Sequence, residues 1–312
     1  MNESSLNTEK LVGIEVSKSA FKAVCFDRSG NIIDSLRYKI DKSNPTFPQL
    51  VNFLDETKRR FGGIERVGVA VPGLIHRETR RIAFSTFIPE HEEHDFLTEL
   101  EAASGLKITI ENDANAAAYG EYKLGAGQGS RDLFFVTLGT GVGGALIFDG
   151  RIWRGKSGFA GEFGQIAINS EGMRLEDVAS NINIIRRTRS RFHQDSTSSL
   201  GKLDEDEIRI ANVVREAREG DDFAHLMLDR TGIYVGTAIA GVINLLNIER
   251  IVVSGQIVEA DNIVLDAIIK RARELTFAPS FEATEIVSSK LGENAAAVGA
   301  ALLSNEAEGG NI

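Results

Sequence analysis

Cysteine is almost missing: Cys25 is the single thiol among 312 residues. One thiol excludes an internal disulfide and suits a reducing compartment. Its neighbours Val24 and Phe26 are apolar, so a buried, inert thiol is expected. Uninterrupted apolar runs fall short of the ~20 residues that a membrane span needs. The opening MNESSLNTEK also lacks the charged-then-apolar layout of a signal peptide. A cytoplasmic protein without a membrane partner is the resulting expectation. Positive charge is in deficit, 35 Lys and Arg against 45 Asp and Glu, for a net charge of −10. Phosphate backbones need a basic face, so nucleic acid is not the expected partner. The one basic cluster, IIRRTRSRF from Ile184 to Phe192, reads as a solvated helix face. A Walker lysine motif is absent too.

The remaining composition, 42% hydrophobic and 26% charged, is that of a soluble globular chain long enough for two lobes. LVGIEV, FKAVCF and NIIDSLRYKI read as three successive strands with short turns. FPQLVNFLDETKRRF reads as an amphipathic helix, RVGVAVPGLI and LKITIEND as apolar strand runs, and ANAAAYGEYKL as an alanine-rich helix. Then LFFVTL, GGALIF and RIW repeat the opening pattern. A helical region is expected from about Glu176 to Leu246, with the polar stretch His193 to Glu207 a mobile connection inside it. Within that region, Gly232 to Leu246 is apolar nearly all round and is expected in a core or at a dimer contact. Strand RIVVSG, a helix from Asp261 to Leu275, strand TEIVSS and a closing helix ENAAAVGAALL complete the chain.

The opening pattern recurs at countable spacing. Glu15 and Asp27 are twelve positions apart, as are Thr137 and Asp149, and each pair brackets strand, turn, strand and an acidic turn after Phe. A duplicated lobe is implied. The second copy carries the glycines. Gly139, Gly141 and Gly144 satisfy G-x-G-x-x-G, a dinucleotide fingerprint only where a helix follows. Here Ala145 to Phe148 run straight into Asp149-Gly150, so the loop is a hairpin turn. Such a turn can still present clustered N–H groups to phosphate, with Gly143 beside it and the Thr140 hydroxyl added; glycine kept for steric reasons is the alternative.

Asp113 ends a strand and begins a helix, where a carboxylate could take a hydroxyl proton during phosphoryl transfer or act as a helix cap. TLGTGVGGALI, ENDANAAAYGE, GFAGEFGQ and LGENAAAVGAALL, in that order, resemble the ROK family of sugar kinases and sugar-responsive repressors. The resemblance runs from about Leu11 to Leu303. It implies an α/β, actin-like fold of the hexokinase type: two ribonuclease-H-like lobes with a central cleft, one spanning 1–113 and the other 114–292. The helix at about 293–306 would pack back on the first lobe, placing a hinge near Asp113. It further implies ATP and Mg²⁺, a hexose or amino-hexose substrate and a homodimer. By the same resemblance Asp113 is the general base, Gly73, Asn112 and Glu162 meet the sugar, and Glu176 matches another sugar-binding glutamate. Glu176 also suits a helix first turn on dipole grounds.

Departures from the family pattern are equally specific. Gln165 stands where the kinases carry a sugar- and zinc-binding histidine, and NSEGM replaces a three-cysteine loop, so no zinc is expected. Phe87 stands in an asparagine's place, and HEEH (His91 to His94) reads as an exposed acidic loop. The first phosphate motif, D-x-G-G-T-K in the kinases, is Glu15, Val16, Ser17, Lys18, Ser19 and Ala20. Glu15 keeps a carboxylate for Mg²⁺ through water, Ser19 keeps a hydroxyl, and Lys18 either reaches the phosphates or fills an empty site. On the adenosine side VSGQ keeps Gly255 where two glycines are usual. Two activities stay open: an ATP-dependent hexose kinase, or a weak or inactive sugar-binding regulator with no helix-turn-helix.

Overall fold

The computed structural model describes residues 10–92, 95–195, 197–259 and 262–307. The chain begins with β1 (Leu11–Val16), β2 (Ala20–Phe26), β3 (Ile32–Lys39), α1 (Thr46–Phe61), β4 (Arg66–Val71), β5 (Leu74–Ile75) and β6 (Ile82–Phe84). It continues with α2 (Phe96–Ser104), β7 (Lys107–Asn112), α3 (Asp113–Leu124), β8 (Leu133–Leu138), β9 (Val142–Phe148) and β10 (Arg151–Ile152). Next come α4 (Glu176–Ala179), α5 (Asn181–Arg189), α6 (Ile210–Arg218) and α7 (Asp222–Leu246). Last are β11 (Arg250–Ser254), α8 (Gln256–Glu259), α9 (Ile263–Leu275), α10 (Ala278–Glu282), β12 (Glu285–Ser288) and α11 (Ala295–Glu306).

Two compact units result: Met1–Gln128 with Arg151–Ala160 and Glu293–Ile312, and Gly129–Gly150 with Gly161–Gly292. In the first, the strands run β3–β2–β1–β4–β7. β1, β2 and β3 are antiparallel neighbours, whereas β4 lies parallel to β1 and β7 parallel to β4. The central strands read as continuous apolar runs because helices cover both faces. Leu50, Phe53 and Leu54 of α1 and Leu100 of α2 join one core with Ile14, Phe21 and Val69. α11 packs on β1, β4 and α3. Its contact with α3 is so close that a Cβ on Gly299 would lie 1.7 Å from the Ala116 carbonyl oxygen. This contact is why α3, past the expected boundary at 113, groups with the first unit. Cys25 is buried at 1% exposure, and burial raises its thiol pKa.

In the second unit β9, β8, β11 and β12 follow one another, with β8–β9 a hairpin and β8, β11 and β12 parallel. A central strand with a hairpin partner on one side and two parallel strands on the other thus occurs in both units. The Asp149-Gly150 turn after β9 has positive φ at both residues, 47° and 74°, as a tight hairpin turn requires. The helical region from Glu176 to Leu246 divides into α4, α5, α6 and α7. Between α5 and α6 the polar residues 193–207, which lack helical apolar spacing, form short 3₁₀ turns at Ser199–Lys202 and Glu205–Glu207; Ser196 lies outside the described residues. The Ser199 hydroxyl contacts Glu216 Oε2 at 2.5 Å and Asp221 Oδ2 at 2.7 Å, fastening this stretch to the helices around it. α7 is by length and composition apolar enough to cross a membrane, which no uninterrupted run had suggested. Half of that window is buried, and the helix packs on α6 and α9. The basic cluster on α5 is not all solvated. Arg187 turns inward, donating to the Val178 carbonyl (3.0 Å) and Thr231 Oγ1 (2.8 Å).

Candidate active site

In the first unit three of the expected residues meet at the ends of β4 and β7. β4 stops at Val71, because Pro72-Gly73 break the run that continues to Ile75. Gly73 has φ +142°, and a Cβ there would sit 2.4 Å from the Phe84 carbonyl oxygen, so only glycine fits. Asn112 caps α3, its Oδ1 accepting the Asn115 N–H at 3.0 Å. Its Nδ2 donates to the Gly73 carbonyl at 2.9 Å and to Asp113 Oδ1 at 3.2 Å. The cap role that sequence left open for Asp113 is therefore filled by its neighbour. Asp113 Oδ1 accepts the Ala114 N–H at 2.9 Å, inside the helix's positive N-terminal turn.

Next to Asn112 in the chain is Glu111, first residue of the ENDANAAAYGE motif, whose partner lies outside the motifs. Glu111, 3% exposed, takes two N–H donors of Arg154 on Oε2, at 3.0 and 2.7 Å. Glu111 had a visible signal, an acid one step before Asn112 at the end of an apolar strand. Arg154 had none.

Glu15 occupies β1 opposite Lys22. Burial, and next the charge of Asp113, push its carboxyl up to about 7. In the turn after β1, Ser17 closes the chain on itself, its hydroxyl donating to the Ala20 carbonyl at 2.8 Å. Lys18 places its ammonium 5.7 Å from the centroid of the Phe87 ring, a cation–π distance. Two positions that depart from the family pattern thus lie against each other. Ser19 is exposed, and its carbonyl accepts the Ile40 N–H at 2.9 Å. In the HEEH stretch, Glu93 and His94 lie outside the described residues. Glu90, just before it, accepts the Phe47 N–H at 2.8 Å and so caps α1.

In the second unit the glycine loop is the turn of the β8–β9 hairpin, as its sequence requires. Gly139 N–H donates to the Gly141 carbonyl at 2.9 Å, Gly143 faces Thr137 in the ladder, and Thr140 is exposed at the tip. Glu176, first residue of α4, reaches this turn: its Oε2 accepts the Val142 N–H at 2.9 Å, and a Cβ on Gly141 would sit 2.6 Å from it. Burial and the charge of Glu176 raise the carboxyl pKa of Glu162. Gln165 accepts from Arg174 Nη1 at 2.9 Å. Gly255, φ +129°, lies against the Leu138 carbonyl where β11 leads into α8. Among the described residues no three His, Cys, Asp or Glu side chains group as a metal site.

The ROK family model matches residues 11–307. The chain belongs to the ROK family. It is 30% identical to the glucokinase of Halalkalibacterium halodurans over 95% of both chains. It is also 30% identical to the glucokinase of Thermotoga maritima over 96% of this chain and 99% of that one. A ROK glucokinase from Streptomyces griseus, solved with glucose and AMPPNP, superposes at a TM-score of 0.85 with 27% identity, covering 96% of this chain and all of that one. The fold is accordingly the actin-like sugar-kinase fold of the family, and these three relatives are glucokinases.

Proposed function

We propose that this ROK protein is an ATP-dependent hexose kinase of the glucokinase type. The observation that supports this most is the Gly73–Asn112–Asp113 trio. It joins a carboxylate, an amide and a backbone turn that only glycine can make, on two adjacent strand ends. In this reading Asn112 and the Gly73 turn hold sugar hydroxyls, and Asp113 accepts the proton of the hydroxyl that attacks the γ-phosphorus of ATP. The new O–P bond forms as the bond to the β-phosphate oxygen breaks and ADP leaves. Glu162, Glu176 and Gln165 are the second unit's sugar-side candidates. The Gly139–Gly143 turn with Thr140, and Gly255, are its phosphate and nucleotide candidates.

Mg²⁺ suits Glu15: a carboxylate that burial and Asp113 push up to about 7 is one that a cation would stabilise in its charged form. When bound, Mg²⁺ would neutralise phosphate charge, with Glu15 holding it through water. The chain's own part is to orient the hydroxyl and take its proton. A homodimer and a cytoplasmic location are proposed with this function, on the resemblance alone.

One observation favours the second reading, a sugar-binding regulator without transfer. Ser17 and Lys18 replace the backbone-only turn of the kinases, and the Lys18 ammonium lies 5.7 Å from the centroid of the Phe87 ring. A coupled ADP-release assay with Mg-ATP and a panel of glucose, mannose, fructose, N-acetylglucosamine and N-acetylmannosamine separates the two. Hexose-dependent turnover supports the kinase. Calorimetric sugar binding without any turnover favours the regulator.

A further inference from the structure

We infer that Glu111 and Arg154 are positioning residues for the sugar-side trio, an inference that rests on the hexose-kinase reading. Glu111 works in two directions. Its Oε1 accepts the Asn112 backbone N–H at 3.0 Å and Asn115 Nδ2 at 3.1 Å. Its Oε2 is gripped by Arg154 Nε and Nη2 at 3.0 and 2.7 Å. Asn115 is the residue whose N–H meets Asn112 Oδ1. The Asn112 side chain is therefore fixed through both its backbone and its cap partner by a single carboxylate, and Asn112 Nδ2 in turn contacts Asp113 Oδ1.

Arg154 anchors that carboxylate from the segment Arg151–Ala160. The segment is itself tied to the turn after β5: Arg77 N–H donates to the Ser157 carbonyl at 2.8 Å, and Arg77 Nη1 to the Gly155 carbonyl at 3.1 Å. The side chains of the pair are 16% and 5% exposed, so neither charge is solvated by bulk water. A buried ion pair is weak evidence for stability, since apolar side chains of similar size often replace one at little cost. What this pair adds is direction. A planar guanidinium gripping one carboxylate oxygen leaves the other aimed at Asn112 and Asn115.

The test is steady-state kinetics with melting curves on Arg154→Lys and on the double variant Glu111→Leu with Arg154→Met. The double variant is expected to melt within a few degrees of wild type. Its hexose KM should rise, and its kcat fall, each by about tenfold or more, because a misplacement of about 1 Å can cost on the order of 100-fold. KM for ATP should stay unchanged, which general loosening of the unit would not give. Arg154→Lys keeps the charge without the fork and should recover part of the loss. Wild-type hexose KM and kcat in either folded variant would overturn the proposal, and if the double variant fails to fold, Arg154→Lys decides by the same criteria. Should wild type transfer phosphate to no hexose, the kinase reading fails by itself. Calorimetric hexose affinity then decides the positioning role: weakened binding in the variants supports it, and unchanged binding overturns it.

Discussion

At the scale of single residues, charge and burial set the terms. Glu15 has its folded pKa pushed up to about 7 by burial and by Asp113. A carboxyl raised in this way stays protonated in the folded chain while it would ionise in the unfolded one. Its cost to stability is therefore absent below about pH 4.5, grows as pH rises towards 7, and is full above that. Glu15→Gln removes the cost, so in melting curves without Mg²⁺ it should stabilise at pH 8 by roughly 1–3 kcal/mol and barely at pH 5. Equal effects at both pH values would contradict the burial of that charge. Lys18 makes a second case. If its ammonium leaves Phe87 for the phosphates of ATP, Lys18→Met should raise the KM for ATP by roughly tenfold, the worth of one charge-assisted contact, and leave the hexose KM unchanged. An unchanged KM for ATP would assign Lys18 to Phe87 alone. Asp113, Asn112 and Gly73 were legible in sequence because the family motifs carry them. The partners of Lys18 and Glu111 were not, because Phe87 and Arg154 come from distant segments that only folding brings near.

At the scale of elements, the strands and the hairpin were readable because β-branched and apolar runs and a glycine turn leave few alternatives. Between Glu176 and Leu246 the polar connection at 193–207 is legible in the sequence, but its short 3₁₀ turns are not, since they carry no strong periodic signal. Element contacts also explain why helix α11 returns to the first unit. Its small residues, Ala295 to Ala301, let its backbone touch α3 and the strands beneath, a close approach that a larger side chain would block. Gly299→Leu should therefore destabilise the protein by about 3 kcal/mol or more, or prevent folding, as overpacked close contacts do. A thermal midpoint within a degree of wild type would show that α3 and α11 are not held this tightly.

At the scale of the whole molecule, each unit repeats a hairpin beside two parallel strands, yet the two copies have diverged in chemistry. The first carries Asp113, Asn112 and the buried Glu111–Arg154 pair, while its first turn carries Ser17 and Lys18. The second keeps the glycine turn, pinned by Glu176. The central claim is that a chain so divided still moves a phosphoryl group from ATP to a hexose, with Asp113 taking the proton. The measurement that tests it most directly is phosphorus NMR of the protein with Mg-ATP and each sugar, wild type beside Asp113→Asn. A sugar-phosphate resonance growing with ADP in wild type, and slowed by a factor on the order of 100 to 10,000 in the variant, is the expected result. No sugar phosphate from any hexose, or equal rates in both proteins, would contradict it.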